Sequence, residues 1–395
     1  MDWLVPLADL DYGAEEETAV RDVLHSRWLT MGGVTQEFEN EFAQFTGARH
    51  AIAVSNATVA LHLAMLALGI GPGDEVIAPS LTFVATTNAV LYAGADVRFA
   101  DIVGPCDLTI APAEIEKQIT PRTRAIVVMH YGGYAGRMDA ILDIAARHKL
   151  AVIEDAAHAP GAKFDGRALG TLGDVGCFSF FSNKNLSTGE GGMLVTGRDD
   201  LAAKVRLLRS HGMTTLTWDR HQGHAHSYDV TALGYNYRID ELRSALGRAQ
   251  LAKLEKGNAR RREITARYWD ALEGIGLELP FRGAFRGAGG SPAASACHLF
   301  PVLLPPDADR AAFMDGLRAA GIQTSIHYPP IHCFSYYRER YPGVALPLTE
   351  AVAAREVTLP LYPTMSDAQV EMVIAAVRAG GPVVRNHRLN EVETR

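Results

Sequence analysis

The chain is 395 residues long, 48% hydrophobic and 21% charged, with a net charge of −7 at pH 7. That length exceeds one simple core and points to two domains sharing an interface. The acidic balance excludes a nucleic-acid footprint over the whole protein, though not a local basic pocket for a small anion.

The start, "MDWLVPLADLDYGAEEE", lacks the apolar run of a signal peptide. No stretch approaches the roughly 20 apolar residues of a membrane span, so no membrane partner is expected. Apolar spacing predicts short amphipathic helices over 14–26 and 36–46. Ala51–Val54 reads as a strand and Ser55–Thr58 as a turn rich in capping residues. From Val59 to Leu68 apolar residues recur at helical spacing. A buried strand follows around Glu75–Ala78. Then "RAIVVMHY" (124–131) reads as a strand, "MDAILDIAARHK" (138–149) as a helix and "LAVIED" (150–155) as a strand.

This alternation predicts an α/β fold: a central, mostly parallel sheet with helices on both faces. Ligands bind beyond the carboxyl ends of such strands. Ser55, His130 and Asp155, each at a strand end, are therefore expected to face one cleft. After about residue 250 the character changes. "LAKLEKGNARRREITARYWDAL" predicts a long connecting helix, and "FRGAFRGAGGSPAASA" (281–296) a flexible loop. A smaller α/β unit follows, with "CHLFPVLLP" and a helix over Asp309–Ala320. The expected division is 1–255 for a large cofactor-binding domain, 256–380 for a small one and 381–395 for a flexible tail.

Four dispersed cysteines, Cys106, Cys177, Cys297 and Cys333, form no CxxC pair. They speak against a disulfide framework or zinc ribbon and suit a reducing, cytoplasmic setting. His221, His224 and His226 lie close together, but no cysteine joins them and their spacing fits no standard zinc pattern, so no metal is expected.

Lys184 stands in "FSFFSNKNLSTGEGG". A phosphate-gripping loop places its glycines before the lysine and a helix after it; here the glycines follow. A solvated surface charge is the plainer alternative. Yet apolar, strand-like runs flank Lys184. A buried lysine loses its proton more readily and becomes a nucleophile that forms Schiff bases with carbonyls.

Such a lysine suggests pyridoxal phosphate. That group needs a carboxylate at its ring nitrogen, donors for its phosphate and a ring to stack on. Asp155 in "VIEDAAHAPGA" offers the carboxylate, or alternatively a helix N-cap. The "SNATV" turn opens a helix, whose free N–H groups suit a phosphate. Phe83 in "PSLTFVATTNAV" offers the ring, or is a core aromatic.

The ordered segments "SLTFVATTNAV", "EDAAHAPGA", "FSFFSNKNLSTGEGGMLVT", "GYNYRIDELRSALGRAQL" and "IHYPPIH" together resemble the DegT-type sugar aminotransferases, from about residue 6 to 378. The resemblance implies the aspartate-aminotransferase (type I) fold, with pyridoxal 5′-phosphate bound covalently by Lys184, which also shuttles a proton. It implies that Asp155 pairs with the pyridine nitrogen, that His158 lies one helical turn on beside the ring, and that Phe83 stacks on it. Thr58, Val59 and Ser179 would hold the phosphate. Asn236 would reach the cofactor of a second subunit, implying a homodimer with shared active sites. The substrates implied are L-glutamate and a keto nucleotide sugar. "TGEGGM" resembles members acting at C4 of 4-keto-6-deoxy sugars, with 3-keto sugars or cyclitols as alternatives. The dehydratase relatives carry histidine where this chain has Lys184. A non-catalytic binding protein on the same fold is a further alternative, and the retained Lys184 and Asp155 speak against it. His327, Tyr328 and His332 are candidates for substrate contact. Arg238, close to Asn236, is the candidate for the donor carboxylate.

Overall fold

A computed structural model describes residues 3–215, 227–283 and 295–380. The segment holding His221, His224 and His226, most of the 281–296 loop and the tail lie outside the described residues. Two helices come first, α1 (Ala14–Ser26) and α2 (Gly33–Thr46). Glutamates 15, 16 and 17 occupy the positive end of α1. Helix α2 starts three residues before its apolar spacing suggests. The Glu241 carboxylate accepts hydrogen bonds from the Gly32, Val34 and Thr35 N–H groups and so satisfies its first turn.

The large sheet is built from β1 (His50–Val54), β2 (Glu75–Pro79), β3 (Asp96–Ala100), β6 (Thr123–Met129), β7 (Ala151–Asp155), β10 (Val175–Ser179) and β11 (Gly192–Thr196). A hairpin of β4 (Ile102–Gly104) and β5 (Asp107–Ile110) and a two-residue pair, β8 (Lys163–Phe164) and β9 (Arg167–Ala168), lie between them. Helices α3 (Ala57–Ala67), α4 (Ala85–Tyr92), α5 (Pro112–Gln118), α6 (Met138–His148) and α7 (Asp199–Arg209) complete the layers.

The strand order is β1-β11-β10-β7-β6-β2-β3. Only β11 runs against the rest. The carboxyl ends of β1, β7 and β10 therefore lie along one edge, which sets the position of the site. Strands β2, β10 and β11 are buried along their whole length, as expected of a sheet covered on both faces. Phe42 packs edge-on against Phe178 and Phe180 at 5.1 and 5.6 Å between ring centroids, fixing the strand that leads into Lys184.

Helix α8 (Glu241–Ala271) runs 31 residues, starting well before the expected Leu251 because the Asp240 side chain caps it. The expected boundary at 255 falls inside this continuous helix. The remainder comprises β12 (Phe300–Leu303), α9 (Arg310–Ala319), α10 (Ser335–Arg340), α11 (Pro347–Ala353), β13 (Glu356–Leu359) and α12 (Asp367–Gly380). Its core joins Ile264, Tyr268 and Phe300 to Val357, Val373 and Val377. The first described residues pack here too: Val5 bridges to Ile322, and the Leu7 N–H bonds to the Gln323 side chain.

Candidate active site

Asp155 ends β7 and pairs in register with Cys177 of the neighbouring β10. Its carboxylate is 5% exposed and accepts hydrogen bonds from the Thr86 hydroxyl (2.7 Å) and the Ala157 N–H (3.2 Å). The second bond closes a side-chain turn on the backbone instead of starting a helix. Residues 156–161 form turns, so Asp155 is not a helix N-cap and His158 does not lie one helical turn on. Burial pushes the Asp155 carboxyl upward, opposed by Thr86, the Ala157 N–H and the nearby Lys184.

Lys184 follows β10 after a short bend anchored by hydrogen bonds from Phe180 N–H to the Gly191 carbonyl and from Thr188 N–H to the Phe180 carbonyl. Its amine is enclosed. Burial pulls its pKa down to about 8, against the charge of Asp155. Roughly a tenth is therefore free amine at pH 7, far more than for an ordinary lysine, and that is the form a Schiff base requires. Lys184 Nζ lies 3.4 Å from His298 Nε2.

Three imidazoles face this amine, His158 and His298 buried and His327 half-buried. His158 Nδ1 accepts from the Gly132 N–H (3.2 Å), so its Nε2 carries the hydrogen, 3.0 Å from the Tyr328 hydroxyl. His158 and His298 have ring centroids 4.3 Å apart. Burial holds both well below the usual histidine range. His327 is held through its N–H to Glu356 (2.8 Å) and its Nδ1 to Thr358 (2.9 Å), and burial pulls it down to about 4. Gly133 brings this wall together. It has φ +87°, and a Cβ there would lie 2.7 Å from the His158 carbonyl oxygen.

The "SNATV" turn opens α3 as expected, with Asn56 as its cap. The Asn56 side chain already accepts the Val59 N–H at 3.0 Å, so Val59 reaches a phosphate only by exchanging that bond. Gly192 of β11 passes this turn so closely that a Cβ would lie 2.6 Å from the Asn56 carbonyl carbon. The Ser55 N–H donates to the Tyr237 carbonyl (2.9 Å), which attaches "GYNYR" to the same turn. Asn236 on that segment is exposed, and Arg238 is partly buried with no hydrogen bond or ion pair among the described residues. The Ser179 hydroxyl accepts from the Phe181 N–H at 3.3 Å. Phe83 is 55% exposed and approaches Tyr328 at 6.1 Å between centroids, which places it at the rim.

Two further expectations need correcting. His332 is buried, with Nδ1 2.7 Å from Ser80 and Nε2 3.0 Å from Glu350, so both its nitrogens are used inside the fold. Tyr328, by contrast, lies against His158 in the site. His130 does not open into the cleft. Its Nε2 bonds to the buried Glu154 (2.9 Å) and its Nδ1 accepts the Gly136 N–H, which fixes the backbone behind Asp155.

The sequence reading missed His298, Thr86 and Asn183. His298 shares the signal that exposed Lys184, a polar residue inside the apolar run "ACHLF". The Asn183 Oδ1 is buried without a partner.

Residues 11–378 match the DegT/DnrJ/EryC1/StrS aminotransferase family. The chain belongs to that family. Among solved structures it is similar to the aminotransferase TlmJ from Streptoalloteichus hindustanus, at 36% identity and TM-score 0.87, over 95% of this chain and 98% of that one. It is similar to DesV of S. venezuelae, solved in complex with a ketimine intermediate, at 37% identity and TM-score 0.84, over 93% and 94%. It is also similar to Spr1654 from Streptococcus pneumoniae in its PLP form, at 25% identity and TM-score 0.87, over 95% and 98%. The α/β architecture is the type I fold, and the protein is a sugar aminotransferase of the DegT family.

The residues fit pyridoxal phosphate on their own chemistry. A DegT-family member needs a reactive amine, and the half-buried Lys184 offers one whose pKa burial of the amine lowers. It needs a carboxylate at the ring nitrogen, and Asp155 is enclosed beside Lys184. Gly192 keeps a side chain off the "SNATV" turn at the N-terminus of α3, whose N–H groups suit a phosphate.

Proposed function

We propose that the protein uses pyridoxal phosphate to move an amino group from L-glutamate to C4 of a keto nucleotide sugar, a dTDP- or UDP-linked 4-keto-6-deoxyhexose, in amino-sugar biosynthesis. The observation that carries this reading is the enclosed amine of Lys184, with its pKa lowered to about 8, set beside the buried Asp155 at the strand ends. When bound, the cofactor supplies the electron sink that lets a proton leave the donor's α-carbon. Lys184 Nζ takes and returns that proton, a role suited to a base poised near the working pH. Asp155 holds the proton of the pyridine nitrogen, and Thr86 and the Ala157 N–H keep its carboxylate in place. His158 and Tyr328 form one wall, and Phe83 covers the cofactor from the rim. Thr58, Val59 and Ser179 hold the phosphate. Arg238, a cation without a partner among the described residues, binds the donor's carboxylate, and His327 lines the sugar side.

Asn236 reaches the phosphate of a second copy. The exposed Tyr228, Val230 and Leu233 on the preceding segment support a homodimer. The Thr188–Gly192 segment, "TGEGG", supports C4. The test is a panel of keto nucleotide sugars with glutamate, reading product by mass and regiochemistry by NMR. C4 amination is expected. Amination at C3, or of a cyclitol alone, contradicts the acceptor.

A further inference from the structure

We propose that His298 is the positioning residue for Lys184: its Nε2 lone pair accepts a hydrogen bond from Lys184 Nζ and steers the amine. Hydrogen-bond accounting fixes the arrangement. The Asn258 amide donates to the Pro160 carbonyl at 2.9 Å. A carbonyl only accepts, so Asn258 turns its Oδ1 toward Asn185. The Asn185 amide nitrogen donates to that oxygen (2.8 Å) and to the Ala296 carbonyl (2.8 Å). Both of its hydrogens are then used, and Asn185 Oδ1 faces His298 Nδ1 at 2.9 Å. Oδ1 only accepts, so Nδ1 carries the hydrogen.

A neutral ring then has a bare Nε2, and that atom lies 3.4 Å from Lys184 Nζ. Active-site bonds of this kind often tighten when ligands bind. Two anchoring backbone carbonyls thus set, through two asparagines, the tautomer of one histidine and the direction of one amine. The ring stays neutral because it is buried, beside His158, Lys184 and Arg261. The groups facing Lys184 are Asp155, His158, His298 and His327, and the three imidazoles all titrate well below it. A proton on Lys184 therefore stays there, and His298 guides the amine without taking its proton.

This inference rests on the reading of Lys184 as the reactive amine, but its first two tests need neither cofactor nor substrate. In cofactor-free protein with ¹⁵N-labelled histidine, NMR is expected to show His298 as the Nδ1–H tautomer. The Nε2–H tautomer would overturn the proposal, and this measurement needs no variant. The second test follows the pH profile of Lys184 labelling by an amine-reactive probe, read by mass spectrometry. His298→Leu removes an acceptor that favours the ammonium, so the Lys184 midpoint is expected to fall by about one pH unit. His298→Gln keeps an acceptor oxygen and restores most of it. In the holoenzyme, His298→Leu is expected to lower kcat roughly tenfold or more with KM little changed, and His298→Gln to recover it. Identical labelling profiles in wild type, His298→Leu and His298→Gln would also overturn the proposal.

Discussion

Lys184 is a base held where its charge is costly, and Asp155 is an acid held in the same enclosure; each moderates the other. Burial lowers the lysine to about 8, while the carboxylate opposes the shift. Asp155→Asn removes that opposition. The midpoint for Lys184 labelling in cofactor-free protein is therefore expected below the wild-type value, and turnover falls by roughly a hundredfold or more. An unchanged midpoint would mean that the two groups are not electrostatically coupled. Asp155 was legible because it is polar at the end of an apolar strand, where an α/β sheet collects its ligands, and Lys184 because apolar runs flank it. His298 offered only a polar residue inside an apolar run, and its contact with Lys184, 114 residues away in sequence, exists only in the fold. His332 misled for the opposite reason. It shares a motif with His327, but its ring turns inward to Ser80 and Glu350.

At the scale of elements, the site depends on how β10 packs against α2 and how closely β11 passes the turn before α3. Phe178 is fully buried beside Phe42, and Phe178→Ala is expected to destabilise the protein by about 3–5 kcal/mol in denaturant unfolding. Gly192→Ala is a sharper probe of function. Its new methyl must displace the Asn56–Ala57 turn, so affinity for pyridoxal phosphate is expected to fall at least tenfold, read by equilibrium titration. Unchanged affinity would mean that the turn does not hold the phosphate. The elements expected between Ala51 and Asp155 match β1, α3, β2, β6, α6 and β7 within a few residues, but α4, β3, the β4–β5 hairpin and α5 were not anticipated. The starts of α2 and α8 were not readable either, since a distant glutamate and a lone aspartate cap define them.

At the scale of the whole molecule, buried titratable groups near the site shape stability on both sides of neutrality. His158, His298 and His327 are depressed by burial, so below about pH 6.5 the unfolded chain takes up protons that the folded chain does not. Stability is therefore expected to fall as pH drops from there toward 4. Burial lifts the Glu356 carboxyl from 4.5 to about 8. In that window the folded state holds a proton that the unfolded state has lost, so its contribution decreases as pH rises toward 8. Glu356→Gln removes this term, and its Tm relative to wild type is expected to rise between pH 5 and pH 8. A constant difference would show that Glu356 is ionised in the fold.

The central claim, that Lys184 is the covalent anchor for the cofactor, is tested most directly by reductive trapping. The protein is loaded with pyridoxal phosphate, reduced with borohydride, digested and mapped by mass spectrometry. The expected result is one cofactor mass per chain on the peptide containing Lys184, absent in Lys184→Ala. Attachment at another lysine, or none at all, would contradict the account.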